Sequence, residues 1–350
     1  MWTDNRIFLE DLESILARGF LDWRAFRDKS FFITGATGLI GYTLCSALLY
    51  AELKKKLGLR VIALARNTAK AREKFQGQLA DGCPLSLVSG SVEELPEIQA
   101  PVDFIVHCAA PTASGYFVSN PVETIRGIAA GTDRVLHLAR QRQVEKMVYL
   151  SSMEVYGEVG TGEAVDETEQ GFLDPLSVRS SYPQAKRLAE SCCIAYAAEY
   201  GVPVVIARLA QTFGPGAAED DSRVFAYIGR RAAQGQEIRL NTSGAKENMY
   251  LYTADAVSAI LLMLLKGEKG AVYNAANPGT YCSVKELAQS AAEALGNGAI
   301  PIVTNCGDTR MYPPESRLYL NTEKLQSMGW TPGYSLRDMF LRMRGCFDGK

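Results

Sequence analysis

The sequence has few histidines, little net charge and no long apolar run. Its histidines are His107 and His137, and its eight cysteines form no C-x-x-C pair, so a metal site is not expected. The net charge of −2 gives no electrostatic reason to expect a nucleic acid or an anionic membrane as partner. The longest apolar stretch, residues 254–265, is interrupted by Asp255 and is too short to span a bilayer. We therefore expect no metal, no nucleic-acid partner and no membrane partner.

The first residues and the cysteines bear on location. The chain begins polar and acidic, without the apolar core and cleavage site of a signal peptide. Irregularly spaced cysteines are typical of reduced thiols rather than of a disulfide framework. Both features favour a cytoplasmic protein.

From residue 31 onward, short apolar strands alternate with helical segments. Continuous apolar strands separated by helices indicate a parallel sheet covered on both faces. The predicted fold class is therefore α/β, a doubly wound Rossmann sheet with a smaller C-terminal α/β substrate-binding lobe. Strands are predicted at residues 31–33, 60–65, 85–89, 104–107, 146–151, 204–209 and 271–275, and a late helix at 253–265.

Three units follow from this pattern and from the prolines that punctuate the later sequence. Residues 1–29 form an N-terminal helical extension, since Ile7, Phe8, Leu12, Ile15 and Leu16 have helical spacing. Residues 30–212 form a dinucleotide-binding domain, to which 251–276 return. Residues 213–250 and 277–350 form the substrate-binding lobe.

A glycine-rich segment, TGATGLIG at 34–41, directly follows the first strand and opens a helix. Gly35 permits the tight turn, Gly38 lets the backbone approach a pyrophosphate, and Gly41 allows close helix–strand contact. The helix N-terminus supplies N–H donors to the phosphates. Because strand, loop and helix occur in the required order, we predict a dinucleotide site made by Gly35, Thr37, Gly38, Leu39, Ile40 and Gly41.

The end of the second strand indicates which dinucleotide binds. NAD sites usually place an acidic residue there, to accept from the ribose 2′-hydroxyl. Here Ala65 stands at about that position and Arg66 follows, whose guanidinium suits a 2′-phosphate. We predict NADP; the alternative is NAD, with Arg66 only stacking on adenine.

A tyrosine, a lysine and a serine form the candidate catalytic set. Tyr182 and Lys186 lie one turn apart on a predicted helix and share a face. A tyrosine pKa of about 10 is too high for a base at neutral pH, and a neighbouring ammonium lowers it. Ser152 ends an apolar strand, at the sheet edge where ligands bind in such folds. It can hold a substrate oxygen while Tyr182 exchanges the proton. Lys186 can also hydrogen-bond the nicotinamide ribose, and we expect Tyr182 and Lys186 to contact the cofactor as well.

On these residues the chain resembles the extended short-chain dehydrogenase/reductase superfamily, the nucleotide-sugar epimerases, dehydratases and decarboxylases. The matching blocks are TGATGLIG at 34–41, HCAA at 107–110, SSMEVYG at 151–157, YPQAK at 182–186 and RLAQTFGPG at 208–216. Within the superfamily the chain is similar to the UDP-glucuronate decarboxylase type, on Arg179, the FGP at 213–215 and Asp221-x-Arg223-Val224.

The resemblance implies several further assignments. Ser152, Tyr182 and Lys186 would be the catalytic triad, and Ala109 and Ala110 would lie against the cofactor. A cap after Gly214 would grip a nucleoside diphosphate. The chain would be a homodimer, paired through helices at about 122–141 and 182–200. Substrate contacts are expected at Thr112, Ser114, Arg179, Gln211 and Arg223.

Departures from the family pattern narrow the chemistry. Sugar-nucleotide 4,6-dehydratases carry an Asp-Glu pair after the catalytic hydroxyl, and here the pair is Met153 and Glu154. A thioether cannot donate a proton, so 4,6-dehydration is disfavoured. Glu154 is a candidate for handling a proton on the sugar; the alternative is a structural carboxylate.

Other departures concern the substrate. Asn248 stands where the decarboxylases carry an arginine that meets charged groups of the substrate, which weakens the case for an acidic sugar. Gln211 replaces their asparagine, and the family's adenine-reading aspartate is absent at 90–92.

The leading hypothesis is an epimerase-type enzyme, which oxidises C4 of a nucleotide-linked sugar and then returns the hydride. The alternative is an NADPH-dependent reductase of a nucleotide-linked keto sugar or ketose, which Arg66 favours. A minor alternative is an NADP-sensing regulator without turnover, against which the intact Ser-Tyr-Lys set argues.

Overall fold

The structure is a computed structural model that describes residues 5–79, 82–159, 163–216, 221–296, 300–304 and 316–347. Its strands are β1 Ser30–Thr34, β2 Arg60–Ala65, β3 Leu85–Ser89, β4 Phe104–His107, β5 Lys146–Ser152, β6 Ala164–Val165, β7 Val204–Leu209, β8 Gln211–Phe213, β9 Ile238–Leu240, β10 Glu247–Tyr252, β11 Val272–Ala275, β12 Asn277–Ser283, β13 Ile302–Thr304 and β14 Tyr319–Leu320. Its helices are α1 Arg6–Leu16, α2 Leu39–Lys55, α3 Thr68–Lys74, α4 Ser114–Ser119, α5 Pro121–Arg142, α6 Ser181–Glu199, α7 Val224–Ala233, α8 Thr253–Lys266, α9 Val284–Leu295, α10 Glu323–Gln326 and α11 Leu336–Phe347.

A seven-stranded parallel sheet forms the centre of the molecule. The strand order is β11-β7-β5-β4-β1-β2-β3, so the chain runs outward from β1 in one direction and then in the other. The order reverses between β1 and β4, and a crevice at such a switch point is where doubly wound sheets bind ligands. The predicted α/β Rossmann fold is confirmed.

The strands are apolar throughout because both faces of the sheet are covered. Successive side chains of a strand point to opposite faces. In β1, Phe31 and Ile33 accordingly pack with α1, α2 and α8, whereas Phe32 packs with α5 and α6. This two-sided burial fixes the register of β1 and places the segment after Thr34 at the carboxyl edge.

The N-terminal segment is part of the core on one face of the sheet. Helix α1 buries Phe8, Leu12 and Ile15, and the Phe8 ring stacks on Tyr42 of α2 with centroids 5.3 Å apart. The helix ends at Leu16, and a single 3₁₀ turn follows, so it is shorter than the predicted extension.

The later part of the chain adds smaller sheets and the helices α7 to α11. Strands β12, β10 and β8 form one sheet, and β9 pairs with β13. Because β8 starts two residues after β7 ends, this lobe begins directly at the carboxyl edge of the main sheet. Strand β11 returns to the main sheet beside β7. None of the described helices is long and apolar enough to cross a membrane.

Candidate active site

The glycine loop makes a close-packed turn between β1 and α2. Gly35 has a φ of +63°, which favours glycine, and a Cβ there would lie 2.8 Å from the Ala109 backbone nitrogen. A Cβ on Gly41 would lie 2.2 Å from the Gly35 carbonyl oxygen, so the helix can approach the turn only with glycine. Gly38 is the N-cap residue of α2, and Leu39 and Ile40 open its first turn. The loop therefore has the tight turn and free helix N-terminus that a pyrophosphate requires.

A second contact holds this turn against β4. The hydroxyl of Thr34 accepts from the Ala109 backbone N–H at 3.2 Å and lies 2.7 Å from Nδ1 of His107. Burial lowers the pKa of His107 to about 3, so its ring is neutral at physiological pH. His107 thus fixes the two loops that meet at the switch point, a role the sequence did not reveal.

Cations line a cavity of about 530 Å³ at the outer end of the loop. Lys74 donates from Nζ to the Thr37 carbonyl oxygen at 2.9 Å, and burial lowers its pKa below the usual range. Arg66 and Lys70 are exposed at the cavity wall. The lining residues are Thr37, Arg66, Asn67, Lys70, Glu73 and Lys74. The structure therefore brings together Arg66 and Thr37, each predicted to contact the cofactor, and adds Lys70 and Lys74 of α3, which were not predicted from the sequence.

Tyr182 and Lys186 lie in the first two turns of α6, beneath the carboxyl end of β5. Pro183 fits there because the N–H groups of a first helical turn have no intrahelical partner. Lys186 is buried and donates from Nζ to the Leu150 carbonyl oxygen at 2.6 Å. Burial lowers the pKa of Lys186 to about 8, so its ammonium persists at neutral pH but is costly to keep.

Ser152 acts on the Tyr182 hydroxyl and lowers the pKa of the tyrosine. Its Oγ accepts from the Glu154 backbone N–H at 3.2 Å, so its own O–H is available as a donor. Burial, aided by the Glu154 carboxylate, raises the pKa of Tyr182, while the Ser152 bond and the guanidiniums of Arg179 and Arg223 lower it. Burial outweighs these cations, so the pKa of Tyr182 lies above its usual range and the hydroxyl is protonated at neutral pH.

A phenylalanine covers the tyrosine ring. Phe117 of α4 stacks on Tyr182 with centroids 4.2 Å apart and planes inclined by 4°. Arg179 lies over the Phe117 ring at 5.3 Å. Phe117 was missed by the sequence analysis, and its apolar position in a short helix carries no signal that would have found it.

Glu154 and Arg179 form an ion pair at the mouth of this centre. Their charged atoms approach to 2.9 Å, and both side chains are about one quarter exposed, Arg179 at 22% and Glu154 at 31%. A residue predicted as catalytic and one predicted as a substrate contact are therefore bound to each other. The 3₁₀ turn after β5 places Glu154 there, and the turn before α6 places Arg179.

The remaining predicted substrate contacts lie on separate segments of the chain. Arg223 caps α7 and donates to the Asp221 carboxylate at 2.6 Å, so its charge is already paired. Gln211 begins β8 and pairs in register with Tyr250 of β10. Thr112 is exposed on the loop before α4. Ser114 begins α4, but its side chain lies outside the described residues.

A further cation lies near the Glu154–Arg179 pair. Lys246 precedes β10 and is half-buried. Burial lowers the pKa of Lys246, with the Glu154 carboxylate raising it and the Arg179 guanidinium lowering it. Lys246 was not predicted from the sequence as a site residue. It lies two residues before Asn248, and residues two apart on a strand share a face.

Comparisons with known proteins agree with this architecture. The chain matches the NAD dependent epimerase/dehydratase family over residues 31–276. It is 32% identical over 238 residues to UDP-glucuronic acid decarboxylase 5 of Arabidopsis thaliana, covering 68% of this chain and 67% of that protein. Two solved structures share the fold. A UDP-glucose 4-epimerase from Thermotoga maritima with UDP-glucose has a TM-score of 0.76 at 22% identity, covering 91% of this chain and 98% of that one. A UDP-glucuronic acid 4-epimerase from Bacillus cereus, in complex with UDP-glucuronic acid and NAD, has a TM-score of 0.74 at 18% identity and the same coverage.

The family match covers more than half of the chain, and the resemblance carried by the sequence blocks is confirmed. The chain therefore belongs to the NAD dependent epimerase/dehydratase family and is an enzyme of the extended short-chain dehydrogenase/reductase type.

Proposed function

We propose that this enzyme oxidises C4 of a nucleotide-linked sugar and returns the hydride to the same sugar, as epimerases do. The observation that carries the proposal is the partly buried Ser152 hydroxyl beside the buried Tyr182, with the buried Lys186 one helical turn away, on the same sheet edge as the glycine loop. Met153 in place of an acid supports internal redox over water elimination. The relative named as a UDP-glucuronic acid decarboxylase supports a sugar nucleotide as substrate.

Each residue of the site has its own role in proton transfer. Tyr182 takes the proton of the sugar hydroxyl at C4 and gives it back when the ketone is reduced. Ser152 donates a hydrogen bond to that oxygen, and Lys186 favours the phenolate by its charge. Glu154, held by Arg179, faces the same centre and would control a proton on the adjoining carbon. When bound at the glycine loop, the dinucleotide would serve as the hydride acceptor.

For the cofactor we propose NADP. The loop residues Gly35, Thr37, Gly38 and Ala109 would hold the pyrophosphate and adjoining groups, since the glycine turn leads directly into the N-terminus of α2. Arg66, Lys70 and Lys74 converge on the cavity beside Thr37, where a 2′-phosphate would find cations and no acidic residue at position 65. Family relatives with NAD bound make NAD the alternative.

Product analysis tests the reaction. Purified enzyme is incubated with UDP-glucuronate, UDP-glucose and dTDP-glucose in separate reactions, and products are followed by NMR and mass spectrometry. An isomer of unchanged mass without net change in nicotinamide absorbance supports the proposal. Loss of CO₂ from UDP-glucuronate identifies a decarboxylase, which shares the first oxidation, and loss of water identifies a dehydratase.

A second candidate is an NADPH-dependent reductase, favoured by the cationic cavity at Arg66. Enzymes that catalyse a net reduction commonly use NADPH, whereas an enzyme with an internal redox cycle has no need to exchange its cofactor. Stoichiometric consumption of NADPH with a keto sugar nucleotide would establish this reaction and reject the epimerase. Inactivity of the wild-type enzyme in all of these assays, with NADP still bound, would favour the NADP-sensing regulator.

We also propose a homodimer, supported by apolar side chains left exposed on two neighbouring helices. Val122 and Ile125 of α5 are 51% and 43% exposed, and Leu188 and Ile194 of α6 are 50% and 41% exposed. Exposed apolar groups clustered on one surface mark interaction sites. Light scattering of the wild type against a Leu188→Lys variant tests this, and a monomeric wild type contradicts it.

We also propose a cytoplasmic location, which cell fractionation would test.

A further inference from the structure

The residues at the start of β10 have different neighbours on the two faces of the strand. Glu247 pairs in register with Ser283, and its carboxylate bonds to the hydroxyl of Tyr281 and to Arg317. The Lys246 carbonyl continues the ladder by accepting from the Val284 N–H at 3.0 Å. Because successive side chains of extended backbone point to opposite faces, Lys246 and Asn248 share the face opposite to Glu247.

That face holds polar groups without partners. In the described part of the chain, the Lys246 ammonium makes no hydrogen bond or ion pair. Asn248 is 5% exposed, and its Oδ1 likewise has no hydrogen-bond partner among the described residues. Buried polar groups are normally paired, so the unpaired Asn248 Oδ1 beside the half-buried Lys246 indicates a place where a ligand completes the bonding.

The charges around Lys246 indicate the sign of that ligand. Glu154 and Arg179 both act electrostatically on Lys246 and on Tyr182, so the four groups belong to one cluster. Glu154 is already paired with Arg179 at 2.9 Å, which leaves the charge of Lys246 unmatched. A half-buried unmatched cation is stabilised by an anion.

We propose that Lys246 binds an anionic group of the substrate, the carboxylate of a uronic acid sugar, and thereby selects acidic nucleotide sugars. This proposal rests on the proposed function. The carboxylate is favoured over the diphosphate because Lys246 shares its cluster with Tyr182, where the sugar ring itself must lie for C4 to react. A charge-assisted bond of this kind contributes about 10- to 100-fold in affinity.

Titration calorimetry of the full-length enzyme with bound cofactor tests the proposal. Lys246→Gln should bind UDP-glucuronate about 10- to 100-fold more weakly than wild type, with UDP-glucose and UDP unaffected. Lys246→Arg should keep the preference for the uronate. Lys285→Gln is the matched control, because Lys285 is an exposed lysine whose N–H bonds to the Gly244 carbonyl of the same loop. Thermal melting verifies that each variant is folded.

Equal weakening for UDP and for both sugar nucleotides would assign Lys246 to the diphosphate and overturn the carboxylate. Unchanged binding of UDP-glucuronate in Lys246→Gln would overturn any anion contact. Either result, with wild type still binding sugar nucleotides, leaves the proposed function standing. A wild type that binds none of them would reject both.

Discussion

The proposed cofactor site has two ends, the Tyr182 site and the cavity beside Thr37, and they differ in how far their charged groups are exposed to solvent. At the Tyr182 end the ionisable groups are buried, and Lys186 is only 3% exposed. At the cavity beside Thr37, Arg66 and Lys70 are exposed to solvent. A buried charge costs several kcal/mol unless compensated, whereas an exposed charge costs little and gains little. On the proposed function, the buried end would set the reaction rate, and the exposed end would select which dinucleotide binds.

The largest effect should come from removing the Tyr182 hydroxyl. Tyr182→Phe keeps the ring that stacks on Phe117 but removes the proton-transfer group, so kcat should fall about 10²- to 10⁴-fold. Steady-state kinetics measures the loss, and fluorescence titration of cofactor should show unchanged affinity. Tyr196→Phe on the same helix is the matched control, because its hydroxyl bonds only to Asp133 among the described residues. Retention of full activity in Tyr182→Phe would break the assignment of rate to this end.

The next effect separates stability from activity at Lys186. Lys186→Met should lose activity by about 10²-fold, because the phenolate loses its neighbouring cation. It should also raise the free energy of unfolding at neutral pH by about 2 kcal/mol. A pKa lowered from 10.5 to about 8 corresponds to about 3 kcal/mol, offset by about 1 kcal/mol for the lost bond to Leu150.

The pH dependence of stability gives the sign of this effect. Between about pH 8 and pH 10.5 the unfolded chain holds a proton on Lys186 that the folded protein has released. Wild-type stability from this group therefore rises with pH across that window, and the methionine variant should lack the rise. Urea unfolding of both proteins at several pH values measures it. A methionine variant less stable than wild type would contradict the burial cost.

The cofactor half of the molecule could be predicted from sequence because its signals are local. Apolar strands such as β2 and the order of strand, glycine turn and helix depend on neighbouring residues only. The Lys70 and Lys74 pair was also detectable, since residues one turn apart share a helix face beside Arg66.

The surroundings of the predicted substrate contacts could not be predicted from the sequence, because they depend mostly on contacts between distant segments. The ion pair of Glu154 with Arg179 joins two turns separated by a 25-residue stretch of chain. The pairing of Arg223 with Asp221 is local, but the sequence alone does not show that the Asp221 carboxylate pairs with the guanidinium expected to meet a diphosphate. The stacking of Phe117 on Tyr182 likewise depends on tertiary packing, which no short motif encodes.

A smaller effect should follow at the border between the two regions. Glu154→Gln removes a negative charge that raises the pKa of Tyr182. The acidic limb of the pH–rate profile should therefore move to lower pH, while the maximal kcat falls about 10-fold because Arg179 loses its partner. Initial rates across the pH range measure both. Asp174→Asn, an exposed carboxylate in the preceding loop, is the control and should leave the profile in place. An unshifted profile in Glu154→Gln would remove Glu154 from the field of Tyr182.

The smallest effect should appear at the exposed end and should concern cofactor choice alone. Arg66→Asn removes a cation from the wall of the cavity, so NADP should bind about 5- to 10-fold more weakly, with NAD affinity unchanged. The weakening should shrink as salt is added, because exposed charges are screened over about 10 Å at moderate ionic strength. Arg72→Asn is the matched control, since Arg72 is an exposed arginine of α3 that does not line the cavity. Cofactor titration at two salt concentrations measures the effect, and kcat at saturating cofactor should stay constant. If Arg66→Asn weakens NAD as much as NADP, Arg66 contacts the adenine instead of a 2′-phosphate, and the exposed end no longer distinguishes the two dinucleotides.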